Sequence, residues 1–204
     1  METGIVKIQA GIQWGALFVL GWLLFFTPSA NAHPHMWVDL NSRIVIGDKG
    51  KVVAIYQEWL FDDFFSTAII EEAGQHPDGI EAGVYAEIGN VLKSLENFDY
   101  FTLVTVDNQN VSPSIVDRYE TSIMNNRILL RFAMPISNPI DPRKQVLSYA
   151  IFDPTYYVEM FHFDNAIVLF QGNKPAGCGT KIQQPNPSAE AIALSQSPSL
   201  DFKP

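Results

Sequence analysis

The stretch MWVDLNSRIVIGDKGKVVAIYQEWLF, residues 36–61, decides the fold. Its two halves are strand-like, and the turn sequence GDKGK, residues 47–51, joins them. The stretch therefore predicts a β-hairpin of Trp37–Ile46 with Val52–Phe61.

The segments that follow predict a helical insert and then more strands. Residues 64–72 have helical spacing, AGQHPDG at 73–79 interrupts it, and residues 80–95 place apolar side chains on one helical stripe. Further strands are predicted at Tyr100–Val106, Ser114–Thr121, Arg127–Met134, Gln145–Phe152, Tyr156–Phe163 and Ile167–Gln171. Their number and spacing favour a mainly β (α+β) fold, an antiparallel β-sandwich-like domain with a short helical insertion at about residues 64–95.

The first 32 residues have the features of a secretory signal peptide. An apolar run from Gly15 to Phe26 has about the length of a leader's hydrophobic region, and Pro28 breaks the pattern after it. Ala-Asn-Ala at residues 30–32 is the small-x-small pattern that signal peptidase recognises. We therefore predict cleavage after Ala32 and a periplasmic chain that starts at His33, without stable membrane insertion. An uncleaved membrane anchor is the alternative.

Composition narrows the classes of partner and the domain organisation. The formal net charge of −9 without a basic cluster argues against nucleic acid and anionic lipid headgroups as partners. The single cysteine, Cys178, has no internal disulfide partner, so the core must stabilise the fold. Residues 33–172 predict one β-rich domain. Residues 173–204, rich in Gly, Pro, Ser, Gln and Ala, predict a disordered tail.

Two histidines flank a proline at the predicted mature N-terminus. On an extended strand His33, His35, Trp37 and Asp39 share one face, so both imidazoles can reach one ion. Cleavage also frees the α-amine of His33, which closes a chelate with its own ring. Pro34 has no N–H, which rules out the continuous backbone chelate of many copper and nickel sites. These nitrogen ligands suit a divalent transition metal: Zn, Ni, Co or Cu.

Other polar residues are candidate ligands with structural alternatives. Asp39 offers a carboxylate on the histidine face. Asp62, at a strand-to-helix junction, is a ligand or a helix cap. His162 lies in a predicted strand as a ligand or a packed side chain, and Asp153 before Pro154 is first of all a turn residue. The predicted metal ligands are His33, His35, Asp39, Asp62 and His162.

Four blocks of the chain resemble, in the same order, those of the domain of unknown function 1007 family, described as the periplasmic component of an ABC-type transport system. They are HPHMW (33–37), WLFDDFFS (59–66), FDPTYYVEMFHF (152–163) and AGC (176–178). The resemblance implies a periplasmic protein associated with nickel, cobalt or zinc transport and an inner-membrane metal transporter as partner. Many relatives carry an acidic loop that resembles an EF-hand. Residues 71–83 lack its ladder of acidic ligands, so no calcium site is expected.

Motifs of common enzymes are absent from the sequence. No G-x-S-x-G, H-E-x-x-H or C-x-x-C occurs, so we expect neither an enzyme nor an organic cofactor. We expect a periplasmic accessory protein that binds Zn, Ni, Co or Cu at its mature N-terminus. The alternative is a non-catalytic envelope β-sandwich adaptor without metal, in which HPH is only the start of a strand. An uncleaved, membrane-anchored form of either is also left open.

The leader generates the first testable prediction. When the full chain is exported, the mature protein is expected to begin at His33, because Ala30 and Ala32 fit the small-residue pockets of the peptidase. N-terminal sequencing and peptide mapping of the exported protein measure this directly. Exported protein that retains residues 1–32 would contradict it.

Overall fold

The computed structural model describes residues 36–155, 157–162 and 169–182. The chain divides into two units, residues 1–32 and 33–204, and the fold below lies within the second. The predicted signal peptide, His33, His35 and residues 183–204 of the predicted tail lie outside the described residues.

The described chain is mainly β with a short helical part, as predicted. The helices are α1 (Asp63–Ala73) and α2 (Ile80–Leu95), followed by a 3₁₀ turn at Glu96–Phe101. The strands are β1 (Met36–Ile46), β2 (Val52–Phe61), β3 (Thr102–Val106), β4 (Gln109–Asn110), β5 (Tyr119–Met124), β6 (Arg127–Ile140), β7 (Leu147–Ile151), β8 (Val158–His162) and β9 (Leu169–Gln171).

The predicted hairpin is the centre of the larger sheet. β1 and β2 pair antiparallel from Val38 opposite Phe61 to Ile46 opposite Val52. In the connecting turn the amide of Gly47 donates to the carbonyl of Lys51 at 2.9 Å, and Gly50 has φ +67°. Glycine adopts this left-handed conformation without the penalty that a Cβ atom brings. The turn residues and the strand pattern therefore both specify the same hairpin.

The sheet is mixed, which differs from the expected antiparallel pairing. Six strands form it in the order β5-β6-β2-β1-β8, with β9 also paired to β1. The pairs among β5, β6, β2 and β1 are antiparallel, whereas β8 and β9 run parallel to β1. Before β8 the chain passes through a second, three-stranded sheet of order β4-β3-β7. A crossover of this kind brings a strand back in the parallel direction.

One face of the six-stranded sheet, here the inner face, carries the core. Its alternate positions on β1, β2 and β6 are buried: Val38, Leu40, Ile44, Ile55, Trp59, Phe61, Leu130, Phe132 and Met134. Helix α2 contributes Val84, Ile88 and Leu92 to the same cluster, and the second sheet contributes Val104 and Ile151. The inner face is therefore covered partly by helix and partly by sheet, which is the sandwich-like part of the prediction.

Close packing of the two helices depends on one glycine. A Cβ atom at Gly83 of α2 would lie 2.7 Å from backbone atoms of Ala73 at the end of α1. Glycine at this position lets the helices approach closely, while Val84 next to it reaches the core. None of the helices in the described ranges is long and apolar enough to cross a membrane.

A buried polar chain joins the two sheets through Gln57. The indole N–H of Trp59 donates to Gln57 Oε1 at 2.9 Å, and Gln57 Nε2 donates to Thr102 Oγ1 at 2.9 Å. Thr102 in turn donates to the carbonyl of Tyr100 at 2.9 Å. Gln57 is 0% exposed, so each of these groups depends on the others for a hydrogen-bond partner.

Replacing Gln57 tests this chain. Gln57→Met keeps the approximate volume but leaves the indole N–H of Trp59 without its acceptor. It also removes the donor to the Thr102 hydroxyl, which keeps its bond to the Tyr100 carbonyl. It should lower the free energy of unfolding by about 1–3 kcal/mol, the usual cost of buried unsatisfied groups. Urea denaturation measures the loss. The matched control is Gln109→Met at an exposed position of β4, where a change within about 0.5 kcal/mol is expected. Equal effects of the two substitutions would contradict the role of Gln57.

Candidate functional site

Asp62 links the start of β1 to the start of α1. Its Oδ1 accepts a hydrogen bond from the amide of Phe65 at 2.8 Å, which caps α1. Its Oδ2 accepts from the amide of Trp37 at 3.1 Å, and its own amide donates to the Trp37 carbonyl at 3.1 Å. Asp62 is 1% exposed, and both of its oxygens are occupied by backbone N–H groups. Of the two roles left open for Asp62, the structure supports the cap.

Asp39 is engaged by an arginine on the outer face of the sheet, opposite the core. Its Oδ2 lies 2.8 Å from an Nη atom of Arg127. The Arg127 guanidinium also donates to the carbonyls of Leu60 at 3.0 Å and Phe61 at 2.6 Å. The charge of Asp39 is therefore balanced within the fold. A metal ion at Asp39 would have to compete with a guanidinium that three acceptors hold in place.

His162 lies on the opposite side of the sheet from Asp39. In the parallel pairing of β1 with β8, His162 is in register with Leu40 and Phe161 with Asp39. Leu40 is buried on the inner face, so His162 is on that face and Asp39 is on the other. Desolvation lowers the pKa of His162, which favours the neutral imidazole, although the residue is exposed at the end of β8. The sheet thus separates two of the predicted ligands.

The other polar candidates have local structural roles. Asp153 is 3% exposed and accepts four hydrogen bonds of 2.7–3.1 Å from Thr155, Tyr157 and Val158, as expected of a turn residue. His76 accepts from the amide of Asp78 at 3.2 Å in the loop between the helices. Cys178 is a free, partly buried thiol.

No metal-binding cluster is present among the described residues. Within residues 36–155, 157–162 and 169–182, no three side chains of His, Cys, Asp or Glu are grouped so that they could hold an ion. His33 and His35, which the sequence places at the centre of the site, lie outside these ranges. Metal binding there stays a prediction.

Sequence reasoning missed a charged network on the outer face. Glu58 Oε2 lies 3.0 Å from Arg43 Nη2, and Glu58 Oε1 lies 3.2 Å from Arg131 Nε. The Arg43 guanidinium also stacks 4.7 Å above the ring of Tyr56. The predicted hairpin could have revealed part of this network. Its register pairs Arg43 with Tyr56 and Asn41 with Glu58, so the charged side chains of the two strands lie near one another. Arg43, Glu58 and Arg131 are therefore engaged with one another at the middle of the outer face.

Where β1 pairs with β8, the outer face carries exposed side chains. We define Trp37, Glu159 and Phe161 as the β1–β8 corner. Trp37 is 45% exposed and Phe161 is 46% exposed. Glu159 is in register with Trp37 and is exposed, and its side chain has no hydrogen bond or ion pair with the residues that the structure describes. The corner therefore combines two accessible aromatic rings with one accessible carboxylate.

Comparison with known proteins identifies the family. The family model described as "Protein of unknown function (DUF1007)" matches residues 18–202. The chain belongs to this family. An uncharacterized protein of Haemophilus influenzae is 24% identical to the chain over 176 residues, which is 85% of this chain and 84% of that protein. No solved structure matches.

In this DUF1007 protein, the block WLFDDFFS has a structural explanation. Trp59 and Phe61 are each 1% exposed on the inner face, and Asp62 caps α1. The buried hydroxyl of Ser66 donates to the Phe61 carbonyl at 3.4 Å and accepts from the amide of Ile128 at 3.0 Å. Phe65 packs on Phe61 with ring centroids 4.8 Å apart. The block joins the sheet to the helices, and its Asp62 holds Trp37 two residues after His35.

Alanine substitutions of the neighbouring residues Asp62 and Asp63 test the link between Asp62 and Trp37. Asp62→Ala should lower the free energy of unfolding by about 1–3 kcal/mol, because it removes a helix cap and leaves the Trp37 amide without its acceptor. Asp63→Ala removes the same charge from a side chain that is 81% exposed, and should change stability by no more than about 0.5 kcal/mol. Urea denaturation of both variants gives the comparison. A larger loss for Asp63→Ala would contradict the assignment.

Proposed function

We propose that this chain is a periplasmic accessory protein that binds one Zn, Ni, Co or Cu ion at its mature N-terminus and serves an inner-membrane metal transporter. The sequence His33-Pro34-His35 carries the proposal, since it directly follows the predicted cleavage site and directly precedes β1. Export frees the α-amine of His33, so processing would complete the ligand set. Delivering the ion to the transporter and receiving it are both compatible with such a site.

The attachment of β1 supports the proposal. The strand begins at Met36, the residue bonded to His35. Asp62 holds the next residue, Trp37, because its carboxylate accepts from the Trp37 amide and its own amide donates to the Trp37 carbonyl. A ligand bonded to a fixed strand loses less conformational entropy on binding than one in a free tail. Pro34 lowers this entropy cost further, because proline has a fixed φ and favours extended conformations of the residue before it.

The chemistry of the donors supports a transition metal rather than calcium or magnesium. Imidazole and amine nitrogens suit Zn, Cu, Ni and Co, whereas calcium and magnesium prefer oxygen. Pro34 prevents a continuous backbone chelate, so His35 would have to bind through its ring. A site with few protein ligands leaves positions open, which suits an ion that is passed to a partner.

An adaptor without metal is the second candidate. The exposed rings of Trp37 and Phe161 favour it, because accessible aromatic side chains on one face of a sheet are typical of protein contact surfaces. In that case the β1–β8 corner would bind its partner directly. The metal titration below separates the two candidates.

Binding to the processed chain is the central prediction. The protein that begins at His33 should bind one ion per chain, and His35→Ala should weaken binding by about tenfold or more, which corresponds to at least about 1.4 kcal/mol. One alanine added before His33 should weaken it too, because the α-amine then no longer closes the chelate. His76→Ala is the matched control and should bind as wild type does.

Tryptophan fluorescence and native mass spectrometry measure this binding. The processed chain contains only Trp37 and Trp59. Trp37 is exposed two residues from His35 and Trp59 is 1% exposed, so copper or nickel should quench mainly the Trp37 signal, and Trp37→Phe should remove most of the quenching. If the wild-type chain binds no ion in either measurement, the metal-binding proposal is wrong and the adaptor is favoured.

A further inference from the structure

Strand β7 forms a free edge of the three-stranded sheet. In the sheet order β4-β3-β7, its one strand neighbour among the described residues is β3. Hydrogen-bonded and non-bonded pairs alternate in an antiparallel ladder. Val146 and Phe152, which flank β7, both hydrogen-bond to the β3 side, so Ser148 and Ala150 do the same. The residues between them direct their N–H and C=O groups away from β3.

The accessible part of this edge is short and centres on Ser148. The outward-directed backbone groups of Leu147 and Tyr149 have no backbone partner in the described part of the chain, and both residues are half-buried. Beyond them, Ile151 is buried, and the amide of Gln145 already donates within its own turn at 3.0 Å. An unpaired strand edge is a template for another strand.

β7 lacks the features that protect other edge strands of this protein. Charged side chains and short length normally keep edge strands from pairing with other chains. β5 and β8 carry the exposed residues Glu120 and Glu159, and β4 is two residues long. The sequence of β7, LSYAI, contains no charged residue. Of these four strands, β7 is therefore the least protected.

The distribution of charge favours a second copy of this chain as the partner. Residues 62–99 carry nine carboxylates and one lysine, so this helical segment holds all but one unit of the formal net charge of −9. Two copies repel each other through these segments. β3, β4 and β7 contain no charged residue, so a second copy meets no like charge along β7. A strongly basic partner would be drawn to the helical segment instead.

We propose that β7 pairs antiparallel with β7 of a second copy and joins the two three-stranded sheets into one. With the twofold axis at Ser148, Leu147 hydrogen-bonds to Tyr149 of the second copy. Val146, which is 69% exposed, then lies opposite the exposed Ala150, so the pairing covers apolar side chains of both copies. The same strand serves both sides, which makes the interface isologous. No histidine takes part, so the interface is independent of the proposed metal site.

Cross-linking tests the register. Ser148 lies directly opposite its own copy in a non-hydrogen-bonded pair, where Cα atoms are about 4.5 Å apart, a separation that a disulfide spans. Ser148→Cys in a Cys178→Ser background should therefore form a disulfide-linked dimer under mild oxidation, as non-reducing electrophoresis measures. The matched control is Gln109→Cys in the same background, at the exposed other edge of the same sheet, and it should stay monomeric. Equal cross-linking of the two variants would contradict the pairing.

Sedimentation equilibrium of the exported protein in EDTA measures self-association without metal. A dimer with a dissociation constant of about 1–100 µM is expected, because one strand pair buries a small area. Ser148→Lys should weaken association by about tenfold or more, since it places two like charges opposite each other. Gln109→Lys adds the same charge at the other edge of the sheet and should change the dissociation constant by less than about twofold.

Hydrogen exchange and urea denaturation separate the interface from the fold. The amides of Leu147 and Tyr149 should become more protected as the protein concentration rises, whereas those of β4 should not. Ser148→Lys should unfold at the same urea concentration as the wild-type monomer, because Ser148 is exposed. A wild-type chain that stays monomeric up to about 1 mM overturns the proposal. A dimer that Ser148→Lys and Gln109→Lys weaken equally overturns it as well.

Discussion

The buried carboxylate of Asp62 is the contact on which the arrangement around β1 depends. Its two oxygens accept from amides of Trp37 and Phe65, so one side chain holds both the first strand and the first helix. A backbone hydrogen bond between Asp62 and Trp37 adds to the link. Without the contacts of Asp62, the first residues of β1 would depend on pairing with β8, a strand of five residues at the edge of the sheet. The N-terminal strand is thus held from both sides.

Arg127 extends this arrangement across the hairpin. Its guanidinium donates to the carbonyls of Leu60 and Phe61, just before Asp62, and also contacts Asp39. These carbonyls lie at the end of β2, where the chain leaves the sheet for α1, so the arginine supplies donors that a neighbouring strand would otherwise provide. Its position at the start of β6 follows from a tight turn at Asn125 and Asn126, both with positive φ. Asparagine tolerates this conformation better than most residues do.

Local sequence patterns predicted the elements better than their arrangement. The hairpin and both helices follow from periodicity and turn residues, which act over a few positions. The parallel pairing of β8 and β9 with β1 does not follow from such patterns, because a strand pattern is the same in both directions. The direction depends on the crossover through β7. The strand predicted at Ser114–Thr121 lies instead at Tyr119–Met124. Its position depends on antiparallel pairing with β6 across the Asn125–Asn126 turn, which the sequence analysis did not recognise.

The same limit applies to the candidate ligands. Residue type made Asp39, Asp62 and His162 plausible, and alternation along β1 correctly grouped Trp37 with Asp39 on one face. Only the register of a distant strand shows that His162 lies across the sheet and that Glu159 lies beside Trp37. Side chains that are neighbours on these two parallel strands come from two distant parts of the chain. The surroundings of Trp37 therefore depend on the correct docking of β8, which the local pattern of β1 does not specify.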